Sequence, residues 1–560
     1  MATRKEGEKG ERATSESTAN AIGGGFDPLG ISLKGLADAA VSSVDIESMA
    51  RESVRLCGEW LNIIWGDSPR ELPATDARFA DGAWRENPVY KRLAQGYLAF
   101  CDAVDSVVDH NPDWRKRERA RFLSGILTSA IAPTNTLLGN PAALKRAFES
   151  GGRSLLRGAA NFVDDVGKGA ALPSQVKKSD FRLGVNLAAT PGAVVFRNDM
   201  LELLQFQPTT AAVREIPTLV IAPPIGKYYF MDLAPGRSFA EHALRGGIGL
   251  FVTSWRNPRQ EHGAWGLDDY VRTLLQAVDA VCEISGSSKV NLLGFCAGGI
   301  LSTLLMNHLA ATGDSRLNVA SFGVMLLDFG LKAPIGGFQS KPVLALARKQ
   351  SAKKGILPAS SLAQVFAWMR PNDLVWNYWV NNYLEGKDPP SFDILAWSVD
   401  GTNLPRALHA QFLEIFQNNL LIEPGAITLL GQPVDLKRIE AETLVVAAMT
   451  DHLTPWRGCF RTTQLLSGES TFVLSNGGHI AALVNPPGNP RASYYIGTKP
   501  GADPDRWLQQ AEKRTGTWWE AWIDWTLKRS GGERGVSATL GSEQHPVIDK
   551  APGSYVRERA

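Results

Sequence analysis

The feature that most constrains the fold is an alternation. Short, almost wholly apolar runs at 218–222, 249–255, 290–293, 322–327, 443–448 and 471–474 are separated by stretches with helical periodicity. In 267–284, Val271, Leu274, Leu275, Val278, Val281 and Cys282 share one stripe, and a second helix is expected over 299–309. A strand with polar alternate residues would have one wet face. Strands apolar throughout must be covered on both faces, which predicts a parallel sheet between layers of helices, an α/β class.

The rest of the chain divides around that core. Residues 1–25, rich in Gly, Ser, Thr and mixed charge, are expected to form a disordered lead-in. Residues 26–175 are expected to form a mainly helical N-terminal domain. Within it, 46–65 places Met49, Val54, Cys57, Leu61 and Ile64 on or near one face, and Pro141 starts a further helix. The catalytic domain is expected over 176–530, followed by a polar, loose tail over 531–560. Its alternation breaks at about 329–440, an aromatic insert containing 366–379 and 392–397. An insert of that size between two sheet strands reads as a cap over the C-terminal edge of the sheet, and its tryptophans are first of all packing residues.

The chemistry centres on Gly294-Phe295-Cys296-Ala297-Gly298, between an expected strand and an expected helix. This is a nucleophile elbow with cysteine in the serine position, its glycines required by a turn too tight for side chains. The N-terminus of the following helix directs partial positive charge at the sulfur and so favours the reactive thiolate. Asp451 and His479 each follow their own strand, in the order nucleophile, acid, histidine. They are the expected acid and base of a triad. The N–H of Ala297 is the expected first oxyanion donor, and that of Ile225, in the loop after the 218–222 strand, is nominated as the second. His452 adjoins Asp451 and is assigned a supporting role. The remaining cysteines, Cys57, Cys101, Cys282 and Cys459, read as small core residues.

Composition excludes other classes. With 59 basic and 57 acidic residues, the net charge of +2 provides no electrostatic footprint for nucleic acid. Five scattered cysteines without a C-x-x-C pair fit a reducing compartment and suggest no metal site. The N-terminus lacks the apolar region of a secretory signal, and no apolar run reaches the roughly 18 residues that span a bilayer. A cytoplasmic enzyme without a transmembrane segment or cofactor is expected.

Further motifs add a resemblance. Pro223-Pro224-Ile225-Gly226-Lys227-Tyr228-Tyr229-Phe230-Met231-Asp232-Leu233 and Ser254-Trp255-Arg256-Asn257-Pro258 each follow a strand. Phe392-Asp393-Ile394-Leu395-Ala396-Trp397 lies in the cap, and Gly478-His479-Ile480-Ala481 leads into Asn485-Pro486-Pro487-Gly488-Asn489-Pro490. With the elbow, these resemble the single-subunit polyhydroxyalkanoate synthases over about 78–525, closer to the branch that uses medium-chain units. Two positions depart from that pattern, where Gly226 and Ser398 replace the family's usual asparagines.

The resemblance implies an α/β-hydrolase fold with a cap and an acyltransferase that polymerises (R)-3-hydroxyacyl-CoA into a polyester with release of CoA. It also implies a homodimer located at cytoplasmic polyester granules, beside granule-associated proteins, with the helical domain as the expected contact region. A thiol esterase or intracellular polyester depolymerase would use the same triad, and a non-catalytic granule-coat protein is the third reading.

Overall fold

A computed structural model describes residues 46–331, 341–537 and 539–560. The expected lead-in, and 26–45 of the expected helical domain, lie outside the described residues. The chain forms two compact units. One comprises the chain up to Lys177 together with Ala345–Ala347 and Ser361–Ser391; the other holds Lys178–Leu344, Arg348–Ser360 and Phe392–Ala560.

The first unit is helical: α1 (Ile46–Trp65), α2 (Pro88–Asp109), α3 (Trp114–Ala130), α4 (Pro141–Glu149) and α5 (Arg153–Gly167). Local signals set the boundaries. Asn87, Asp113 and Asn140 cap α2, α3 and α4 through their side chains, and Pro occupies the first turn of α2 and of α4. Helix α1 forms where its periodicity requires, but its apolar stripe does not enter a core. Ser48 and Ile63 are its buried residues, whereas Met49, Val54, Leu61 and Ile64 are exposed. It meets α2 through a different edge, where Trp60 Nε1 donates to the Gly96 carbonyl (3.2 Å).

The aromatic insert is not one body, as the sequence had suggested. Its 361–391 portion belongs to the helical unit, because its indoles and phenol find partners there. Trp376 Nε1 donates to Ser129 Oγ (3.2 Å), Trp379 Nε1 to the Asn135 carbonyl (3.1 Å) and the Tyr383 hydroxyl to Asp165 (2.6 Å). Trp368 and Val375 pack with Ile126 in an apolar cluster. The remainder of the insert, from Phe392 onward, stays with the second unit.

That second unit is built on an eleven-stranded sheet. In chain order the strands are β1 (Gly192–Arg197), β2 (Leu201–Phe206), β3 (Thr218–Ile221), β4 (Leu250–Trp255), β5 (Val290–Phe295), β6 (Leu317–Gly323), β7 (Thr443–Ala448), β8 (Ser470–Ser475), β9 (Ser493–Thr498), β10 (Glu512–Thr515) and β11 (Asp549–Lys550). Their spatial order is β10-β9-β8-β7-β6-β5-β3-β4-β2-β1-β11. Strands β3 to β8 pair in parallel, and the flanking strands add in antiparallel. All residues of β3, β4, β5, β7 and β8 are buried, which is why they read as unbroken apolar runs. Helices α6 (Leu267–Ser285) and α7 (Ala297–Thr312) follow β4 and β5, and α6 buries Val271, Leu274, Val278 and Val281 of its expected stripe.

The C-terminal segment, expected to be loose, is fastened to this sheet. Strand β11 pairs with β1, and beyond it Tyr555 and Val556 are buried. Ser554 Oγ and Tyr555 N donate to the carboxylate of the fully buried Glu202 on β2 (2.6 and 2.9 Å). Polarity misled here because these side chains and main-chain groups satisfy a buried charge rather than meeting water. Among the described residues no helix is long and apolar enough to cross a membrane.

Candidate active site

The site is assembled at the C-terminal ends of neighbouring parallel strands, where open α/β sheets place their ligands. Cys296 occupies the single residue between β5 and α7, with φ +47° and ψ −123°. A side chain disfavours that backbone conformation, at about 1–3 kcal/mol for such a strained residue. The main chain holds it there from both sides: Cys296 N donates to the Gly323 carbonyl of β6 (3.0 Å), and Gly299 N donates back to the Cys296 carbonyl (2.9 Å). Ala297, the first residue of α7, is buried directly behind the sulfur-bearing residue.

Gly298 shows why the elbow needs glycine. A Cβ there would stand 2.4 Å from the Ile221 carbonyl oxygen and 2.8 Å from the Ala222 carbonyl carbon. Both obstacles are main chain and cannot rotate away. The close approach also places the loop after β3, which carries Ile225, against the start of α7. Gly298→Ala is therefore expected to destabilise the fold by about 3 kcal/mol and to lower turnover by about 100-fold, since it drives the loop and the elbow apart. Urea unfolding and initial-rate measurements would check both figures; an unchanged midpoint would refute the steric argument.

Asp451 and His479 lie past β7 and β8, which are adjacent in the sheet. His479 opens a short helix (His479–Leu483), and its Nδ1 meets Asp451 Oδ2 at 2.6 Å. With Nδ1–H donating to the carboxylate, Nε2 is left available to the sulfur of Cys296. Burial by itself pulls the imidazole down. The Asp451 hydrogen bond, then the interaction with Cys296, outweighs it, and His479 is held well above its ordinary value. Burial pushes Asp451 up, but its hydrogen bonds to His479 and Thr454 bring it below the usual carboxylate range.

Thr454 is the residue that sequence reasoning missed. Its Oγ1 donates to Asp451 Oδ2 (2.6 Å) and lies 3.2 Å from His479 Nδ1. Asp451 Oδ1 accepts from Leu453 N (2.8 Å) and Thr454 N (2.9 Å). The signal was present: an Asp whose side chain can accept from N–H groups two and three positions on, with a hydroxyl residue at the third. His452 is half-buried in the same turn. Cys459 is fully buried with its Sγ 3.4 Å from the Thr454 carbonyl, and burial pushes its thiol far up, as suits a core cysteine.

Ile225 is half-buried in the 222–227 loop. Gly226, one of the two departures, forms an antiparallel bridge with Gly401, and a Cβ on it would meet the Trp397 ring at 3.1 Å. The aromatic side chains Phe230, Phe295 and Trp397 pack together, with ring centroids 5.4 Å apart for Phe230–Phe295 and 5.5 Å for Phe230–Trp397. Glycine thus suits the tight fit of this loop beneath the indole. Ser398, the other departure, ends the short helix Asp393–Ser398.

Comparison with known proteins agrees with this architecture. Residues 75–243 match a family model described as the N-terminus of poly-beta-hydroxybutyrate polymerase (PhaC), and residues 226–486 match the alpha/beta hydrolase fold. Poly(3-hydroxyalkanoate) polymerase 2 of Ectopseudomonas oleovorans is 43% identical over 91% of this chain and 91% of its own length. Polymerase 1 of the same organism is 43% identical over 90% of both chains. The poly(3-hydroxyalkanoate) polymerase subunit PhaC of Cupriavidus necator is 36% identical over 90% of this chain and 86% of its own. Identity sustained across both units, on a sheet of this order, leads to one conclusion: the chain belongs to the poly(3-hydroxyalkanoate) polymerases, enzymes that polymerise hydroxyalkanoates on an α/β-hydrolase fold.

Proposed function

We propose that polymerisation runs through a thioester on Cys296, with (R)-3-hydroxyacyl-CoA as the activated monomer. Cys296 gives its thiol proton to His479, the sulfur attacks the thioester carbonyl, the carbon–sulfur bond to CoA breaks, and His479 passes that proton to the departing CoA thiolate. The acyl group then sits on Cys296 in a bond as activated as the one it left. A 3-hydroxyl, giving its proton to His479, attacks that carbonyl; the ester forms and the cysteine sulfur is released. Exchange of thioester for oxyester is downhill and drives elongation, a drive that a serine nucleophile would forfeit. Asp451 fixes the tautomer and stabilises the imidazolium, while the N–H groups of Ala297 and Ile225 stabilise the tetrahedral oxyanion.

The observation that carries this reading is the hydrogen bond between His479 and Asp451, together with a cysteine held at a strained strand-to-helix turn. The experiment is incubation of the full chain with 3-hydroxybutyryl-CoA and, separately, 3-hydroxydecanoyl-CoA. CoA release matched by insoluble polymer, faster with the ten-carbon unit, is expected. Release accompanied only by monomeric hydroxy acid would instead identify a thiol esterase.

The same reading places the enzyme as a homodimer at the surface of cytoplasmic polyester granules, among their associated proteins. The exposed apolar side chains of α1 make the helical unit the region to carry these contacts.

A further inference from the structure

The loop that the proposed mechanism asks to supply the second oxyanion donor, residues 222–227, is gripped from two directions. One grip comes from the insert. Trp397 Nε1 donates to the Lys227 carbonyl (2.7 Å), Gly226 bridges Gly401, and the Tyr229 hydroxyl donates to Asp400 (2.9 Å). The other comes from the far end of the chain. Lys227 is only 2% exposed, and its Nζ donates to the carbonyls of Glu558 (2.7 Å) and Tyr555 (3.3 Å).

The segment carrying those carbonyls is itself rigidly held. Beyond the Glu202 contacts, the Tyr555 hydroxyl donates to the Asn198 carbonyl (2.7 Å), and the Arg256 guanidinium lies 4.6 Å from the Tyr555 ring centroid. The Glu558 carboxylate accepts from Asn257 N (3.1 Å) and Arg256 Nε (3.3 Å), just past β4. Residues 554–558 are thus a strap anchored to β2 and β4, with Lys227 as its link to the loop.

A buried lysine is an expensive way to fill space. Burial opposes its charge and pulls the ammonium below its ordinary value, with Asp400 and Glu558 acting against that. A methionine would fit the same volume without that cost. What the ammonium adds is direction. Its donors fix where Lys227 stands, and through it the peptide groups of 224–227. Strand β3 pairs with β5 through Ile221 and Gly294, so any displacement of this loop changes the distance between its N–H groups and a carbonyl held on Cys296.

We infer that Lys227 is a positioning residue: by tying the 222–227 loop to the 554–558 strap, it aims the loop's N–H groups at the oxyanion formed over Cys296. The inference rests on the thioester reading above.

The test separates transfer chemistry from access to the sulfur. Iodoacetamide alkylation of Cys296 requires a reactive, accessible sulfur but builds no oxyanion. In the full chain, Lys227→Met is expected to lower the first-turnover rate of CoA release by about 30-fold, with KM changed less than about 3-fold. Alkylation of Cys296, located by peptide mass spectrometry, should stay within about 2-fold of the parent rate, and Lys227→Arg should recover most of the loss. Unchanged CoA release, or alkylation and transfer falling in parallel, would overturn the inference. If Lys227→Met does not fold, a chain ending at Arg557, which lacks the Glu558 carbonyl, decides: slower transfer with normal alkylation supports the strap, and normal transfer overturns it. A parent enzyme alkylated at Cys296 that still makes polymer would overturn the thioester reading, whatever the Lys227 variants do.

Discussion

Cys296→Ala is expected to lower CoA release and polymer formation by at least about 10⁴-fold, the scale on which removing a covalent nucleophile acts. Alanine keeps a Cβ at the same strained main-chain angles, so the elbow, the packing of Ala297 and the approach of Gly298 to β3 are preserved. The thermal midpoint should accordingly match that of the parent. Cys296→Ser is a sharper comparison, because its hydroxyl can be acylated. The resulting oxyester has lost the activation needed to acylate a second hydroxyl, so CoA release should stop near one equivalent per site. Quantifying CoA by thiol titration alongside polymer mass would check both variants. Polymer formation above a tenth of the parent level in the alanine variant would exclude Cys296 as the obligatory carrier.

Asp451→Asn is expected to cost about 10²–10⁴-fold in turnover. Asparagine can still accept from Leu453 N and Thr454 N through its oxygen. The amide then turns its NH2 toward Nδ1 of His479, which favours the tautomer with its proton on Nε2, facing the sulfur. The variant also shifts the pH dependence. Burial depresses the His479 imidazole, and in the parent the Asp451 hydrogen bond and charge more than reverse this. With the carboxylate gone, burial prevails and the limb of the kcat/KM profile that reports His479 moves to lower pH.

Stability follows by linkage. The raised imidazole stabilises the fold below about pH 6.5 and ceases to do so as pH rises through its folded value. The lowered carboxylate stabilises it above about pH 4 and ceases to do so as pH falls through its own. The gap in thermal midpoint between parent and Asp451→Asn should therefore be widest at about pH 4–6.5 and narrow on the alkaline side; a gap that widened there would contradict the assignment.

The parallel centre of the sheet was legible because burial on both faces leaves an uninterrupted apolar signal. Thr443–Ala448 is both the expected run and the observed strand. Flanking strands carried mixed messages. In β2, Glu202 breaks the apolar run, yet its carboxylate is fully buried and hydrogen-bonded to a segment some 350 residues later in the chain, a partner no local window contains. Strand β6 occupies Leu317–Gly323 rather than the expected 322–327, because Val324, with φ +46°, turns the chain out of the sheet after Gly323. The elbow and its two partners could be located from order and spacing, since each lies just beyond a strand. Thr454 was signalled only by a local turn, a hydroxyl residue three positions after Asp451, and Lys227 carried no local signal, because its importance depends on contacts made across the fold.

The backbone angles of Cys296 also bear on how this lineage can decay. A chain released from selection for polymer synthesis would gain stability from a glycine at 296, the residue that adopts φ +47° without strain. Loss of activity and gain in folding free energy would then arrive in one substitution. Relatives that keep the sheet but carry glycine in the elbow are the descendants to expect.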